Sequence, residues 1–148
     1  MPETNVHATA LLLGDRGLMV TGPSGSGKTT LALTLIRQAV SAGRFARLIA
    51  DDQLFVHARQ GRIIAVCPET IAGLAEVHGL GPWPLSHLRS AVINLVVRLV
   101  LPGDAPRLFD PLSETIVGVA LPRLDLQARN TAVSSLAVTA WLKALPFR

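Results

Sequence analysis

Residues Gly22-Pro23-Ser24-Gly25-Ser26-Gly27-Lys28-Thr29 spell G-x-x-x-x-G-K-[ST], and they stand between a short apolar run and an amphipathic stripe. That placement constrains the fold more than any other feature of the chain. Gly17–Thr21 reads as a strand, while Lys28–Ala42 repeats apolar residues at Leu31, Leu35, Ala39 and at Ala32, Ile36, Val40 before Gly43 ends the stripe. A glycine-rich turn from strand to helix lets backbone N–H groups converge where the helix dipole already favours an anion. Lys28 supplies a cation for the β and γ phosphates, and the Thr29 hydroxyl is a ligand for Mg²⁺. At average residue frequencies a chain this long meets the pattern by chance roughly once in a hundred. Gly22, Pro23, Ser24, Gly25, Ser26, Gly27, Lys28, Thr29 and Thr30 are therefore expected to bind a nucleoside triphosphate, ATP with Mg²⁺.

Leu48-Ile49-Ala50 is a short apolar strand that stops at Asp51-Asp52. A strand following a phosphate-loop helix commonly ends beside the loop, since ligands sit at the carboxyl ends of sheet strands. One acid there can orient Mg²⁺ and the other can accept a proton from a nucleophile. The bland reading of the pair is a solvated turn that opens a hairpin.

The rest of the chain reads mainly as strands. Val6–Leu13 and Gly17–Thr21 flank a turn at Gly14-Asp15, and Leu54–Ala58 and Arg62–Val66 flank a hairpin turn at Arg59-Gln60-Gly61. Glu69–Leu74 is expected to make a helical turn, Gly79–Pro84 a loop, Ala91–Leu101 one buried strand and Pro102–Pro111 an exposed loop. Thr115–Leu121 is read as another strand, and Asn130–Leu145 as a helix capped by Asn130 or Thr131. The order predicts one α/β domain over residues 1–148, with a mixed sheet and antiparallel hairpins.

Of the 148 residues, 49% are hydrophobic and 16% charged, a low charge content that leaves apolar surface for self-association. The net charge of +4 is spread over scattered Lys and Arg without aromatic interleaving, which argues against nucleic acid as a partner. The longest apolar stretch, Ala91–Leu101, is short for a membrane span and contains Asn94 and Arg98. The N-terminal residues lack the pattern of a secretion signal. A single cysteine, Cys67, fits a cytoplasmic protein and a core position rather than a disulfide. His57, His78 and His87 lack the spacing of a zinc site. Trp83 is either a rigid loop anchor or a partner contact.

Several stretches in sequence resemble the catalytic domain of HPr kinase/phosphorylase. They are Val6-His7-Ala8-Thr9, Gly14–Gly22, Leu48-Ile49-Ala50-Asp51-Asp52, Glu76-Val77-His78-Gly79-Leu80-Gly81 and Gly118–Leu124. The resemblance implies a P-loop kinase domain related to the nucleotide site of phosphoenolpyruvate carboxykinase. It further implies a serine kinase acting on HPr, a small phosphocarrier of the sugar phosphotransferase system, with phosphorolysis to pyrophosphate as the reverse reaction. In that reading Lys28, His7 and Asp51 are catalytic, Asp51 as general base and His7 beside the transferred group. Thr29, Asp52 and Glu76 form the metal site. The resemblance also implies a hexamer, and a short form without the family's N-terminal domain. The sequence departs from the family at His78, where arginine is usual, at Pro82, in the partial match of Gln127-Ala128-Arg129-Asn130, and in the final helix. Two other classes stay open on the residues alone: a small-molecule kinase, which would need an Arg-rich helical lid, and a non-catalytic nucleotide-sensing module.

Overall fold

The structure, a computed structural model, describes residues 3–108 and 110–144. Three layers are stacked: two helices, a six-stranded sheet and a four-stranded sheet. The elements run β1 (Thr4–Val6), β2 (Thr9–Leu13), β3 (Arg16–Thr21), α1 (Lys28–Ser41), β4 (Ala46–Ala50), β5 (Leu54–Arg59) and β6 (Arg62–Val66). They continue as β7 (Leu74–Val77), β8 (Gly81–Pro84), β9 (Ser90–Ile93), β10 (Leu95–Val100), β11 (Leu112–Ile116), β12 (Val119–Gln127) and α2 (Thr131–Ala144).

The large sheet has the order β11-β12-β10-β3-β2-β4, and the small one the order β1-β5-β6-β9. Strands β3, β10 and β12 are mutually parallel, whereas β2 is antiparallel to both β3 and β4. β4 therefore runs with β3, and the carboxyl ends of β3, β4, β10 and β12 share one edge. The free side of β4 is covered by residues 86–88, which bond to Leu48 through both its N–H and its carbonyl. Covering an edge strand in this way blunts pairing with another chain.

The period-2 alternation of each strand divides the core into two layers. Leu18, Val20, Leu95 and Val97 face α1 and α2, where they meet Leu31, Leu35, Val138 and Trp141. Met19, Ala10 and Val96 face the small sheet and meet Leu54, Val56, Ile63 and Ile93. Burial of each large aliphatic side chain contributes roughly 1.5–3 kcal/mol, so both layers stabilise the central sheet. No described helix is long and apolar enough to cross a membrane.

Most expected elements are present, and five differ. The run expected as one strand, Val6–Leu13, is broken at His7-Ala8: Val6 ends β1 in the small sheet, and Thr9–Leu13 is β2 in the large one. The run Ala91–Leu101 is two strands in different sheets, because the chain crosses between sheets at Asn94. There the Asn94 side chain accepts from the Gly17 N–H at 2.8 Å while the Asn94 N–H donates to the Gly17 carbonyl at 2.7 Å. Gly17 permits the crossing, since a Cβ at that position would overlap the carbonyl oxygen of Val92. Thr115–Leu121 is the tip of the β11–β12 hairpin rather than a strand, with Val117 (φ 46°) and Gly118 (φ 80°) both left-handed. Two consecutive left-handed residues make a type I′ turn, and a valine there conceals the turn signal that Asn-Gly would carry. Gly81–Pro84 is a strand, pairing with Leu74–Val77 in a two-stranded ribbon. Prolines are tolerated because an edge strand needs few donors. The helical turn is a single 3₁₀ turn over Glu69–Ile71, and Leu74 already belongs to β7. Within α2, the N–H of Ser134 bonds to the Asn130 carbonyl at 2.9 Å, so Asn130 stands at the cap; the expected end at Leu145 lies outside the described residues.

Candidate functional site

The loop between β3 and α1 is bent by three glycines with positive φ: Gly22 (148°), Gly25 (79°) and Gly27 (97°). Gly27 occupies the cap position of α1 without any side-chain cap, and the first helical turn contains no acid. The leading N–H groups of this 14-residue helix are thus left facing the loop, with no acid of the helix's own first turn to repel an anion. Lys28 is buried, and its ammonium donates to the carbonyls of Gly22 at 2.9 Å and Pro23 at 3.2 Å. The Ser26 hydroxyl is buried and has no hydrogen-bond partner. An orphaned hydroxyl, converging amides and an ammonium over one loop fit the oxygens of a polyphosphate. Pro23, Ser24 and Thr30 are exposed, Thr30 on the first turn of α1.

The acids lie at the same edge because β4 runs parallel to β3. Asp51 is 7% exposed, and three donors converge on its carboxylate. Thr29 Oγ1 donates to Oδ1 at 2.7 Å, Thr9 Oγ1 donates to Oδ1 at 3.0 Å, and the Glu76 N–H donates to Oδ2 at 2.8 Å. Asp52 has the opposite environment: its side chain is 61% exposed, and its Oδ1 lies 2.5 Å from Nε2 of His7. Asp52 adopts φ 70°, and its N–H donates to Thr9 Oγ1 at 3.2 Å. His7 is itself half-exposed, at the junction of β1 with β2.

The structure thus gathers Lys28, Thr29, Asp51, Asp52 and His7 at one mouth. Glu76 reaches the cluster through its backbone; its side chain is exposed on β7. Among the described residues no group of three or more His, Cys, Asp and Glu is placed to hold a metal ion unaided. A magnesium ion bound with a nucleotide needs only one or two protein oxygens, because phosphates and waters fill the rest of its octahedron. The Thr29 hydroxyl, already oriented by Asp51, fits that requirement.

Two residues at the mouth carried no role in the sequence. Arg129, in the turn between β12 and α2, donates from its backbone N–H to the Ser26 carbonyl at 2.9 Å and from Nε to the Gly25 carbonyl at 2.6 Å. It brackets the phosphate loop from the far side, whereas in sequence it figures only within Gln127-Ala128-Arg129-Asn130, a partial match to the family's loop with no role attached. Thr9 is fully buried in the middle of an apolar run, and only its hydroxyl hints that it faces something polar.

The chain shows clear kinship with known proteins. A 35% identical relative is the HPr kinase/phosphorylase of Clostridium beijerinckii, matched over 146 residues that cover 89% of this chain and 46% of the relative. The HPr kinase/phosphorylase of a Polaromonas species is 30% identical over 147 residues, covering 88% of this chain and 45% of the relative. The chain therefore spans less than half the length of these relatives. Among solved structures, the Hpr(Ser) kinase/phosphatase from Coxiella burnetii superimposes with a TM-score of 0.77 at 24% identity, covering 95% of this chain and 98% of that one, which shows a shared fold. The family model described as the HPr Serine kinase C-terminal domain matches residues 1–141, so the chain belongs to that family.

Proposed function

We propose that this domain transfers the γ-phosphoryl group of ATP to a serine of an HPr-type phosphocarrier protein, and that it removes the group again by phosphorolysis. The observation that carries the reading is the pair of adjacent aspartates in opposite environments at the mouth of the phosphate loop. Asp51 is buried and occupied by three donors, while Asp52 is exposed and paired with His7. The names of the matched relatives supply the acceptor.

The geometry favours a division of labour that reverses the one expected from sequence. A carboxylate that already accepts three hydrogen bonds is poorly placed to take a further proton, so Asp51 serves to orient Thr29. Asp52 faces solvent, where an incoming serine hydroxyl can reach it, and His7 fixes its direction. In the forward reaction the serine oxygen bonds to the γ-phosphorus as the bond to the bridging oxygen of ADP breaks, and the serine proton passes to Asp52. In reverse, inorganic phosphate attacks the phosphoserine phosphorus, Asp52 returns the proton to the departing serine oxygen, and pyrophosphate is formed. Lys28 and the amides of the loop hold the phosphates. Mg²⁺, held by Thr29 with Glu76 as a further oxygen donor, would neutralise charge on the β and γ phosphates. Arg129 adds a guanidinium at the loop's outer wall.

Assembly into a hexamer belongs to the same reading, and the exposed Leu80 and Trp83 of the β7–β8 ribbon offer apolar surface for it. The deciding experiment incubates the chain with Mg·ATP and purified HPr and looks for phosphoserine, then adds phosphate and looks for pyrophosphate. Binding of Mg·ATP without transfer to HPr would leave a nucleotide-sensing module in place of the kinase.

A further inference from the structure

Strand β2 meets β4 with a break in register: Leu13 pairs with Ala46, Leu12 with Arg47 and Leu11 with Leu48, but Ala10 pairs with Ala50. One extra residue, Ile49, is thus inserted on β4. Without that bulge Ala10 would face Ile49 and Thr9 would face Ala50. With it, Thr9 comes level with the aspartates. The bulge lies on β4, so it is the strand end carrying the aspartates that is shifted toward Thr9, as bulges beside active sites commonly do. The Thr9 side chain is 0% exposed, and both capacities of its hydroxyl are used: it donates to Asp51 Oδ1 at 3.0 Å and accepts from the Asp52 N–H at 3.2 Å.

We propose that Thr9 is a positioning residue that sets both aspartates through this one hydroxyl. Toward Asp51, it supplies one of the three bonds that hold the carboxylate against the Thr29 hydroxyl. Toward Asp52, it fixes a backbone N–H in a residue whose φ of 70° is left-handed, a conformation uncommon outside glycine, asparagine and aspartate. A left-handed residue persists only where its surroundings over-determine it. In this conformation the Asp52 carboxylate meets His7 rather than following the strand direction into β5. Valine has the same shape as threonine without the hydroxyl, so the packing of Thr9 does not require oxygen; the two hydrogen bonds do. The proposal rests on the kinase reading for its catalytic consequence, but its structural and metal-binding consequences stand apart from it.

The test compares Thr9→Val with Thr9→Ser, which keeps the hydroxyl. Three quantities are measured: exchange of the Asp52 amide hydrogen, the Mg²⁺ midpoint for ATP binding, and transfer to HPr. Thr9→Val is expected to speed Asp52 exchange by about 10-fold or more and to raise the Mg²⁺ midpoint several-fold, as expected when one well-made bond of a shared network is lost. It should lower kcat about 10-fold or more while KM for ATP stays within about 3-fold, the pattern of an interaction used at the transition state. Thr9→Ser should restore all three. If Thr9→Val does not fold, Thr9→Cys takes its place, since a thiol donates only weakly. Wild-type-like exchange and Mg²⁺ midpoint in a folded Thr9→Val protein would overturn the proposal, as would equal impairment of Thr9→Val and Thr9→Ser. If the wild type binds Mg·ATP but transfers nothing to HPr, the kinase reading fails, and the exchange and Mg²⁺ measurements still decide the role of Thr9.

Discussion

The Thr29 hydroxyl donates to Oδ1 of Asp51 across 2.7 Å, joining the final residue of the phosphate-loop motif to the end of β4. The contact exists because β3 and β4 run the same way, so that the loop leaving one and the acids leaving the other share an edge. Thr29 is thereby held with a lone pair free for a cation, and Lys28, one residue earlier, supplies charge without sharing this bond.

The two residues should therefore fail differently. Lys28→Ala removes the ammonium and is expected to weaken ATP binding roughly 10–100-fold, the worth of a charge-assisted hydrogen bond, with or without Mg²⁺. Thr29→Ala should weaken binding chiefly in the presence of Mg²⁺. Calorimetric titrations at fixed ATP with and without Mg²⁺ separate the two effects. Binding like wild type in both variants would remove the phosphate loop from the argument.

Gly17 makes a second, purely structural prediction. Its N–H and carbonyl hold Asn94 at the crossing between sheets, and it has no room for a Cβ beside the Val92 carbonyl. Because the obstacle is backbone rather than a movable side chain, Gly17→Ala should cost roughly 3 kcal/mol, the upper range for overpacking. Urea denaturation should show the loss as a lower midpoint with an unchanged slope. A change below about 0.5 kcal/mol, the scale of ordinary surface substitutions, would mean that β9 can shift aside.

What the sequence disclosed and what it hid follow from the range of the interactions. The phosphate loop, α1 and the Gln60-Gly61 hairpin depend on neighbours within a turn or two, and their glycines advertise them. The division of Ala91–Leu101 depends on Gly17, which is 77 residues from Asn94 along the chain, and continuous hydrophobicity gives no sign of a change of sheet. At the site, residue types pointed to Asp51 and Asp52, and only the family resemblance brought in His7 and made Asp51 the base, but neither disclosed that the two acids sit in opposite environments. That difference in environment arises from a bulge at Ile49, from Thr9 on another strand, and from the backbone of Glu76 on a third. None of these leaves a local mark. Arg129 escaped for the same reason, since its partners Gly25 and Ser26 lie more than 100 residues away.

Cys67 gives the chain a pH response at the alkaline side. Burial pushes its thiol above the ordinary 9.0, and the guanidinium of Arg89 opposes this with the smaller effect. The folded protein thus keeps the proton to higher pH than the unfolded chain does. The stabilisation is fully present below the unfolded pKa and is lost as pH rises through the folded one. Cys67→Ser replaces the thiol with a group that does not titrate and can still donate to the Pro68 carbonyl, the present partner of Sγ. Between about pH 8 and about pH 10.5, the urea midpoint of the wild type should fall further than that of Cys67→Ser. Parallel curves would assign the alkaline loss to other groups.

The two aspartates provide the sharpest test of the proposed chemistry. Three donors converge on the two oxygens of Asp51. Asparagine there would replace one oxygen with an NH₂ group, setting donor against donor inside a buried cluster. Asp51→Asn is therefore expected to lower stability by about 1–3 kcal/mol and to weaken Mg²⁺-dependent ATP binding together with transfer. Asp52→Asn faces no such conflict: the side chain is exposed, and asparagine tolerates the left-handed backbone that Asp52 adopts. It should fold and bind Mg·ATP like wild type yet transfer phosphate to HPr about 10²-fold more slowly or worse, the usual worth of a positioned base. Stability, calorimetry and single-turnover transfer on the same two proteins decide the matter. Should Asp51→Asn bind normally but fail in transfer, while Asp52→Asn transfers within a few-fold of wild type, the base is Asp51, and the three donors around it serve to place that base rather than to orient Thr29.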